Sequence, residues 1–409
     1  MSLIVQKYGG TSVGNLDRIA NVANRVIKTW RDGNKMVVVL SAMAGETDRL
    51  IKLGQGLAED PDPRELDVLL ATGEQVTVSL FSIFLHSQGV PATSLLSHQA
   101  RIYTDRAYGR ARILGIDTAR IREELKKNRV VTVAGFQGVD EVGNITTLGR
   151  GGSDTTAVAM AAALKADYCE IYTDVDGVYT ADPRICPKAR KLDRITYDEM
   201  LEMASLGAKV LEIRSVGFAR RYSVPLVVRS SFTEGPGTLV TLEDEKMEIV
   251  PVSGVALSRN DARVTITRVP DRPGIAVRLF RPVADANIVV DMIIQNTSIE
   301  GYTDLTFTVP QDDLKKTMEL IRPVAAEVGA QQVVGDKNIA KISIVGVGMK
   351  NNAGVAVRMF EALSGENINI LMISTSEIKI SCVIEDKYGE LAVRVLHDAF
   401  DLDQPPPKR

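Results

Sequence analysis

The sequence is poor in the residues that many metal and acid–base enzymes rely on. Only three histidines occur in 409 residues, His86, His98 and His397, and none falls within a glycine-rich or acid-rich motif. Imidazole catalysis and histidine metal ligation are therefore not expected. The three cysteines, Cys169, Cys186 and Cys382, are widely spaced and form no CxxC pair. That pattern excludes a disulfide framework and a zinc knuckle, fits a reducing compartment, and leaves each thiol as a small buried hydrophobe. Neither a GxxxxGK turn followed by Ser or Thr nor a GxGxxG turn is present, so any phosphate site has to be built another way. No apolar run is expected to approach the ~20 residues of a membrane span, and the apolar start at residues 1–7 is too short for a signal segment. With 49 basic against 52 acidic residues, no field of one sign gathers nucleic acid or an anionic membrane. A soluble cytoplasmic protein with no metal centre, no nucleic acid and no membrane partner is the expectation.

What is present is ample core material. An apolar content of 45% over 409 residues points to two or three domains. Through the first half, β-branched runs at 3–5, 36–40, 130–134, 170–173 and 226–228 alternate with helix-period segments, which predicts a covered, mainly parallel sheet. Leu16, Ile19, Ala23, Val26, Ile27 and Trp30 repeat at helical spacing. A second amphipathic helix is expected over about 65–85, after Pro61-Asp62-Pro63, with further helices over 157–164, 197–204 and about 209–221. The first domain ends near residue 245.

Beyond it lies an internal repeat. Residues 273–280 match 353–360, and 287–292 match 367–372, both at an offset of 80. Each copy reads as strand, turn, glycine, helix, Asn-Ile and strand, implying two small βαββαβ domains over 246–335 and 336–409. A duplicated scaffold with only a structural or dimerising role is one reading; a glycine opening a helix beside a loop is, however, a good small-ligand pocket at the seam of two copies.

The chemistry concentrates in turns. Gly149-Arg150-Gly151-Gly152-Ser153-Asp154 precedes an apolar helical stretch, so glycine amides, a helix N-terminus and an arginine fork converge on an anion. Lys7-Tyr8-Gly9-Gly10 follows the first strand and precedes the first helix, either as a second phosphate turn or as a tight connection with a solvated lysine. Ser41 and Thr47 share one loop, and Glu74 interrupts an apolar helix, a place more often explained by a solvated face. Residues 173–184 carry Asp174, Asp176, Asp182, Tyr179 and Arg184 just after a strand, as a nucleotide loop or as an Asx-rich turn. An acceptor already ionised at neutral pH needs no general base, and a carboxylate is such an acceptor. Phosphoryl transfer to it asks only for positioning and positive charge.

Residues 7–12, 134–138, 149–154 and 174–184 together resemble aspartate kinase of the amino-acid kinase superfamily, and the tail repeat resembles its tandem ACT domains. The resemblance spans the whole chain and is of the monofunctional type. It implies a three-layer α/β kinase fold with a mainly parallel sheet over 1–245, then two ferredoxin-like ACT domains. The implied reaction is ATP-dependent phosphorylation of the β-carboxylate of L-aspartate, with Mg²⁺ held mainly through phosphates, as the entry to lysine, threonine and methionine synthesis. Lys7, Asp154 and Lys209 would be catalytic: Lys7 at the transferring phosphoryl group, Lys209 at the nucleotide phosphates, Asp154 orienting both. Arg150 would clamp the aspartate carboxylate and Glu74 accept its ammonium, beside Thr47, Gly151, Gly152 and Ser153. Lys7, Gly9, Gly10, Ser41, Thr173, Asp174, Tyr179, Asp182, Arg184 and Lys209 would line the nucleotide.

By the same resemblance the ACT pair would bind lysine and/or threonine as an inhibiting effector. Asp271, Gly274, Ile275, Ala276, Gln295 and Asn296 match the effector loop and strand in the first copy. Asn352, Gly354, Val355, Ala356, Ser374, Thr375 and Ser376 are their counterparts. The ACT domains would also join subunits of a homo-oligomer, with a short regulatory subunit if an internal start at Met247 is used. A glutamate, N-acetylglutamate or nucleotide monophosphate kinase would share the fold, and the ACT pair and Glu74 favour aspartate.

Overall fold

A computed structural model describes residues 1–207, 210–243, 251–296 and 300–405. The chain divides into two compact units. The first comprises residues 1–179, 191–205 and 209–247, and the second 180–190, 206–208 and 248–409.

The first unit begins with β1 (Leu3–Tyr8), α1 (Leu16–Arg31), β2 (Lys35–Leu40), α2 (Glu46–Gln55), α3 (Pro63–Leu70) and α4 (Thr72–Ser87). It continues with β3 (Ala92–Leu95), β4 (Ile102–Thr104), β5 (Ile113–Ile116), α5 (Ala119–Lys126), β6 (Val130–Ala134), β7 (Gln137–Val139) and β8 (Ile145–Thr147). It closes with α6 (Gly152–Leu164), β9 (Tyr168–Thr173), β10 (Arg194–Thr196), α7 (Tyr197–Ser205), α8 (Ile213–Tyr222), β11 (Leu226–Ser230) and β12 (Thr238–Thr241). Its main sheet has the order β10-β12-β11-β9-β1-β2-β6-β3. Every pairing is parallel except β11 with β12, as the alternating strands and helices require. A smaller sheet, β5-β4-β7-β8, carries the turn that opens α6.

Local chemistry sets the helix starts. Asn15 caps α1, its Oδ1 accepting the Arg18 amide at 2.9 Å, and Ile19, Val22, Ala23, Val26 and Ile27 bury one face against the sheet. Asp62 caps α3 with Pro63 at the first helical position. The single helix expected over 65–85 is two helices that break at Ala71. The stretch 63–87 is, by length and composition alone, apolar enough to cross a membrane, a test that a buried core helix also passes; half of its most apolar 18-residue window is buried inside the unit. The helix expected from 209 starts at Ile213, with Glu212 as its N-cap. Cys169, Cys186 and Cys382 are buried thiols.

The second unit contains β13 (Gly254–Ser258), β14 (Asp261–Pro270), α9 (Ile275–Asp285), β15 (Ile293–Gln295), β16 (Tyr302–Pro310), α10 (Leu314–Glu327) and β17 (Gln332–Asp336). After these come β18 (Ile339–Val345), α11 (Val355–Gly365), β19 (Met372–Thr375), β20 (Lys379–Glu385) and α12 (Gly389–Ala399). One sheet, β15-β16-β14-β17, is a complete βαββαβ copy. The other, β13-β18-β20-β19, takes its fourth strand from ahead of the first copy: β13 runs antiparallel to β18, from Gly254 opposite Val345 to Ser258 opposite Lys341. The first copy is thus inserted into the second, and the boundary drawn at 335/336 does not separate the two sheets. Lys341, buried in β18, ties the copies together by pairing with Asp261 at 3.3 Å and Asp291 at 2.5 Å.

Residues 180–190 pack with this second unit. Ala181 and Cys186 lie in its core, the Thr180 carbonyl accepts the Val255 amide at 2.7 Å, and Thr180 Oγ1 lies 3.0 Å from His397 Nε2.

Candidate active site

Strand alternation separates the two faces of β1. Gln6 and Tyr8 meet Glu170 and Tyr172 on one face: Gln6 Nε2 donates to Glu170 Oε2 at 2.8 Å, and the two tyrosine rings stack at 4.5 Å. Lys7 takes the other face, shared with the first turn of α6, where its Nζ lies 2.6 Å from Asp154 Oδ1. Both groups are largely buried. The helix N-terminus adds its own partial positive charge beside the Asp154 carboxylate.

The turn before α6 has no side-chain cap. Its N-cap is Gly151 in the left-handed region, with φ of 67°, so Ser153 and Asp154 are first-turn residues rather than caps. A Cβ at Gly151 would fall 2.4 Å from Glu212 Cγ, so glycine is required on two grounds. Gly10 is required for close approach, since a Cβ there would lie 2.8 Å from the Ala42 carbonyl oxygen.

Two cavities meet at the Lys7–Asp154 pair. The larger, about 770 Å³, brings together Gly9, Gly10, Ser41, Thr47, Glu74 and the whole turn 149–154. Every expected acceptor-side residue lines it. Ser41, expected on the nucleotide side, lies here as well, as do Gly9 and Gly10. The smaller cavity, about 290 Å³, is lined by Thr173, Ala204, Val210, Leu211, Glu212 and Ile213, again with Lys7, Gly151 and Asp154. Of the expected nucleotide residues, Thr173 and Lys7 line it. Lys209 and Met247 lie outside the described residues. Thr173 Oγ1 donates to the exposed Asp174 at 3.0 Å, and Tyr179 donates to Asp176 at 2.7 Å. Asp182 and Arg184 pair with each other at 2.7 Å in the segment that belongs to the second unit.

Glu74 is buried, not solvated. Its Oε1 accepts the Ala42 amide at 3.0 Å, while Oε2 has no partner. Burial pushes its carboxyl up to about 7, against the pull of the Ala42 amide. A buried carboxyl with one unpartnered oxygen, in a side chain that lines a cavity, suits a cationic ligand group.

Two residues that sequence reasoning passed over hold this cavity in shape. Asp67, buried in α3, accepts the Thr147 amide at 2.7 Å, the Thr147 hydroxyl at 2.6 Å and the Gly109 amide at 3.0 Å. Burial outweighs these bonds and raises its carboxyl above the usual range. An aspartate within an otherwise amphipathic helix was the only available signal. Arg214, from α8, donates to the Leu148 carbonyl at 2.6 Å and the Ala111 carbonyl at 3.0 Å; nothing in its neighbouring sequence marks it.

In the second unit, the first copy places Gly274 as the left-handed N-cap of α9, with φ of 90°, followed by Ile275 and Ala276. The Asp271 amide donates to Gly301 at 2.9 Å, and Thr303 Oγ1 donates to the Asn296 carbonyl at 2.8 Å, next to Gln295 at the end of β15. The second copy differs. Gly354 caps α11 with φ of −89°, before Val355 and Ala356, and a 3-10 turn at Val347–Asn351 precedes it. Asn352 Nδ2 donates to the Gly348 carbonyl at 3.1 Å. Ser374 and Thr375 end β19, and the Ser376 amide donates to Lys379 at 2.8 Å.

Fold and site together define an amino acid kinase with two ACT domains. The amino acid kinase family matches residues 2–230, and ACT domains match 263–326 and 342–400. The chain is 61% identical over 406 residues to an aspartate kinase of Stutzerimonas stutzeri strain A1501, covering 99% of this chain and 98% of that one. Among solved structures, E. coli aspartokinase III in complex with aspartate and ADP, in its R-state, is similar at 28% identity and a TM-score of 0.76. The alignment covers 97% of this chain and 99% of that one. The same enzyme with lysine and aspartate, in its T-state, is similar at 27% identity and a TM-score of 0.76, with the same coverage. The chain belongs to the aspartate kinase family.

Proposed function

We propose that the larger cavity seats L-aspartate and the smaller one the phosphates of ATP, with transfer to the aspartate β-carboxylate where the cavities meet. The observation that carries this reading is that Lys7 and Asp154 line both cavities. Arg150 clamps a carboxylate of the acceptor with its guanidinium fork. Glu74 receives the ammonium, with Thr47, Ser41 and Ser153 completing the polar lining. Lys7 neutralises the transferring phosphoryl group, and Asp154 fixes the lysine in place. Lys209, Thr173, Asp174 and Tyr179 serve the nucleotide. The donor set beside the phosphates contributes one lysine and two carboxylates, Asp154 and Glu212, which fits Mg²⁺ carried in on phosphate oxygens. Mg²⁺ held there through phosphate oxygens would supply positive charge to the transferring phosphoryl group.

The ACT pair binds an end-product amino acid, lysine and/or threonine, and inhibits. Support comes from the two glycine-capped helix starts and from the lysine complex of the E. coli relative. The same domains join subunits. Val277 and Val357, and Ile293 and Ile373, are exposed apolar residues at equivalent positions of the two copies, the pattern of a face covered by another copy.

Steady-state kinetics of Arg150→Ala and Glu74→Gln test the seat, with a raised aspartate KM and little change in the ATP KM expected. Unchanged aspartate KM in both variants contradicts it. Lysine and threonine titrated singly and together, against wild type and Gln295→Ala, test the effector reading. No response to either leaves the repeat as an assembly module.

A further inference from the structure

Arg214 occupies a place that helix chemistry does not explain. It sits in the first turn of α8, where a cation opposes the helix dipole. Its guanidinium instead serves two backbone carbonyls far away in the chain, Leu148 at 2.6 Å and Ala111 at 3.0 Å. Leu148 is the last residue before the turn 149–154. Ala111 donates its own amide to the Thr147 carbonyl at 2.8 Å and lies two residues beyond Gly109, which lines the larger cavity.

The residues just ahead of Arg214 line the other pocket. Leu211, Glu212 and Ile213 line the smaller cavity, and the Glu212 methylenes fill the space beside Gly151. Four consecutive residues therefore form the wall of one cavity and the anchor of the other's glycine turn. Arg214 itself lines neither cavity.

We infer that Arg214 is a positioning residue that makes occupation of the two cavities mutually dependent. Ligand in the smaller cavity orders the 211–213 wall, and Arg214 carries that order to the Leu148 carbonyl and so to Arg150. A rigid fork holding two carbonyls has two discrete arrangements, held or released, which is what coupling between neighbouring sites requires. Lysine lacks the planar fork that holds two carbonyls in a fixed geometry, since its ammonium is a compact charge on a flexible stem. The inference rests on the reading that the 149–154 turn seats aspartate.

The test uses the full-length enzyme and titration calorimetry of aspartate with and without a non-hydrolysable ATP analogue and Mg²⁺. In wild type the analogue should tighten aspartate binding ~10-fold, within the usual range for coupled sites. In Arg214→Lys that ratio should fall to about twofold or less, while the analogue alone binds within threefold of wild type. In Arg214→Ala the aspartate KM should rise, and guanidinium ion at millimolar concentration should restore part of it. A purely structural arginine would lower the thermal midpoint but leave the ratio intact, and that result overturns the inference. Equal weakening of both ligands overturns it as well. Arg150→Ala run in parallel separates the two layers. If Arg150→Ala raises the aspartate KM and Arg214→Lys keeps full coupling, only the inference fails; if Arg150→Ala and Glu74→Gln both leave the aspartate KM unchanged, the seat reading fails and the inference with it.

Discussion

Lys7 Nζ and Asp154 Oδ1 lie 2.6 Å apart, one at the end of the central strand and the other in the first turn of the helix that covers it. Parallel pairing of β1 with both β2 and β9 brings the carboxyl end of β1 to the middle of the sheet edge, where doubly flanked strands place ligands. On the proposed reading, Lys7 neutralises a migrating phosphoryl group only while Asp154 holds its ammonium in reach of both cavities. Lys7→Ala and Asp154→Ala should each lower kcat on the order of 10²–10³, with far-UV circular dichroism unchanged. Loss of folded protein together with normal turnover of the folded fraction would refute this role.

Glu74 sets a pH dependence. Its carboxyl is pushed up to about 7 in the folded protein, above its ordinary value, so the folded state holds its proton more tightly than the unfolded chain does. The stability contributed by this group is complete at low pH and is lost as pH rises through about 7. An ammonium ligand favours the charged form, so aspartate binding should strengthen from pH 6 to 8 and release a proton, up to roughly half an equivalent at pH 7. Calorimetry in two buffers of different ionisation enthalpy measures that proton. Glu74→Gln should bind without releasing it.

His397 gives the opposite sign in the second unit. Burial holds its imidazole below the ordinary value, in the company of Asp398, Asp403, Lys188 and Arg190. A depressed folded value means the unfolded chain binds the extra proton first, so stability present above pH 6.5 is lost as pH falls below it. Thermal midpoints measured from pH 7.5 to 5.5 should decline less for His397→Gln than for wild type.

Asp67 is a structural acceptor. Asp67→Ala strands the Gly109 and Thr147 amides and the Thr147 hydroxyl inside the unit, at a cost of about 3 kcal/mol. Urea denaturation reads the loss, and the aspartate KM should rise because Gly109 and Thr147 both line the larger cavity.

How much of this was legible in the sequence follows chain distance. The Lys7 to Gly10 turn and the 149–154 turn announce themselves because their chemistry is packed into a few adjacent residues. Asp67 meets Thr147 across 80 residues, and Arg214 meets Leu148 and Ala111 across 66 and 103, so neither partner is visible in the local pattern. The same holds for β13. Five residues between two turns carry no sign that their partner is β18, beyond an entire inserted domain. The break at Ala71 escaped because the apolar period runs on through it, and only packing of α3 and α4 as separate helices resolves it. Resemblance alone singled out Glu74, which lines the larger cavity, because an acid in an apolar helix reads as solvated until its burial is seen.

On the proposed reading, a phosphoryl group passes from ATP to the aspartate carboxylate at the Lys7–Asp154 pair. Hydroxylamine trapping of the acyl phosphate, with ATP and Mg²⁺, reads that step directly. Hydroxamate should form with L-aspartate and not with L-glutamate, and should fall on the order of 100-fold or more in Lys7→Ala. Equal hydroxamate with glutamate, or undiminished product from Lys7→Ala, would contradict it.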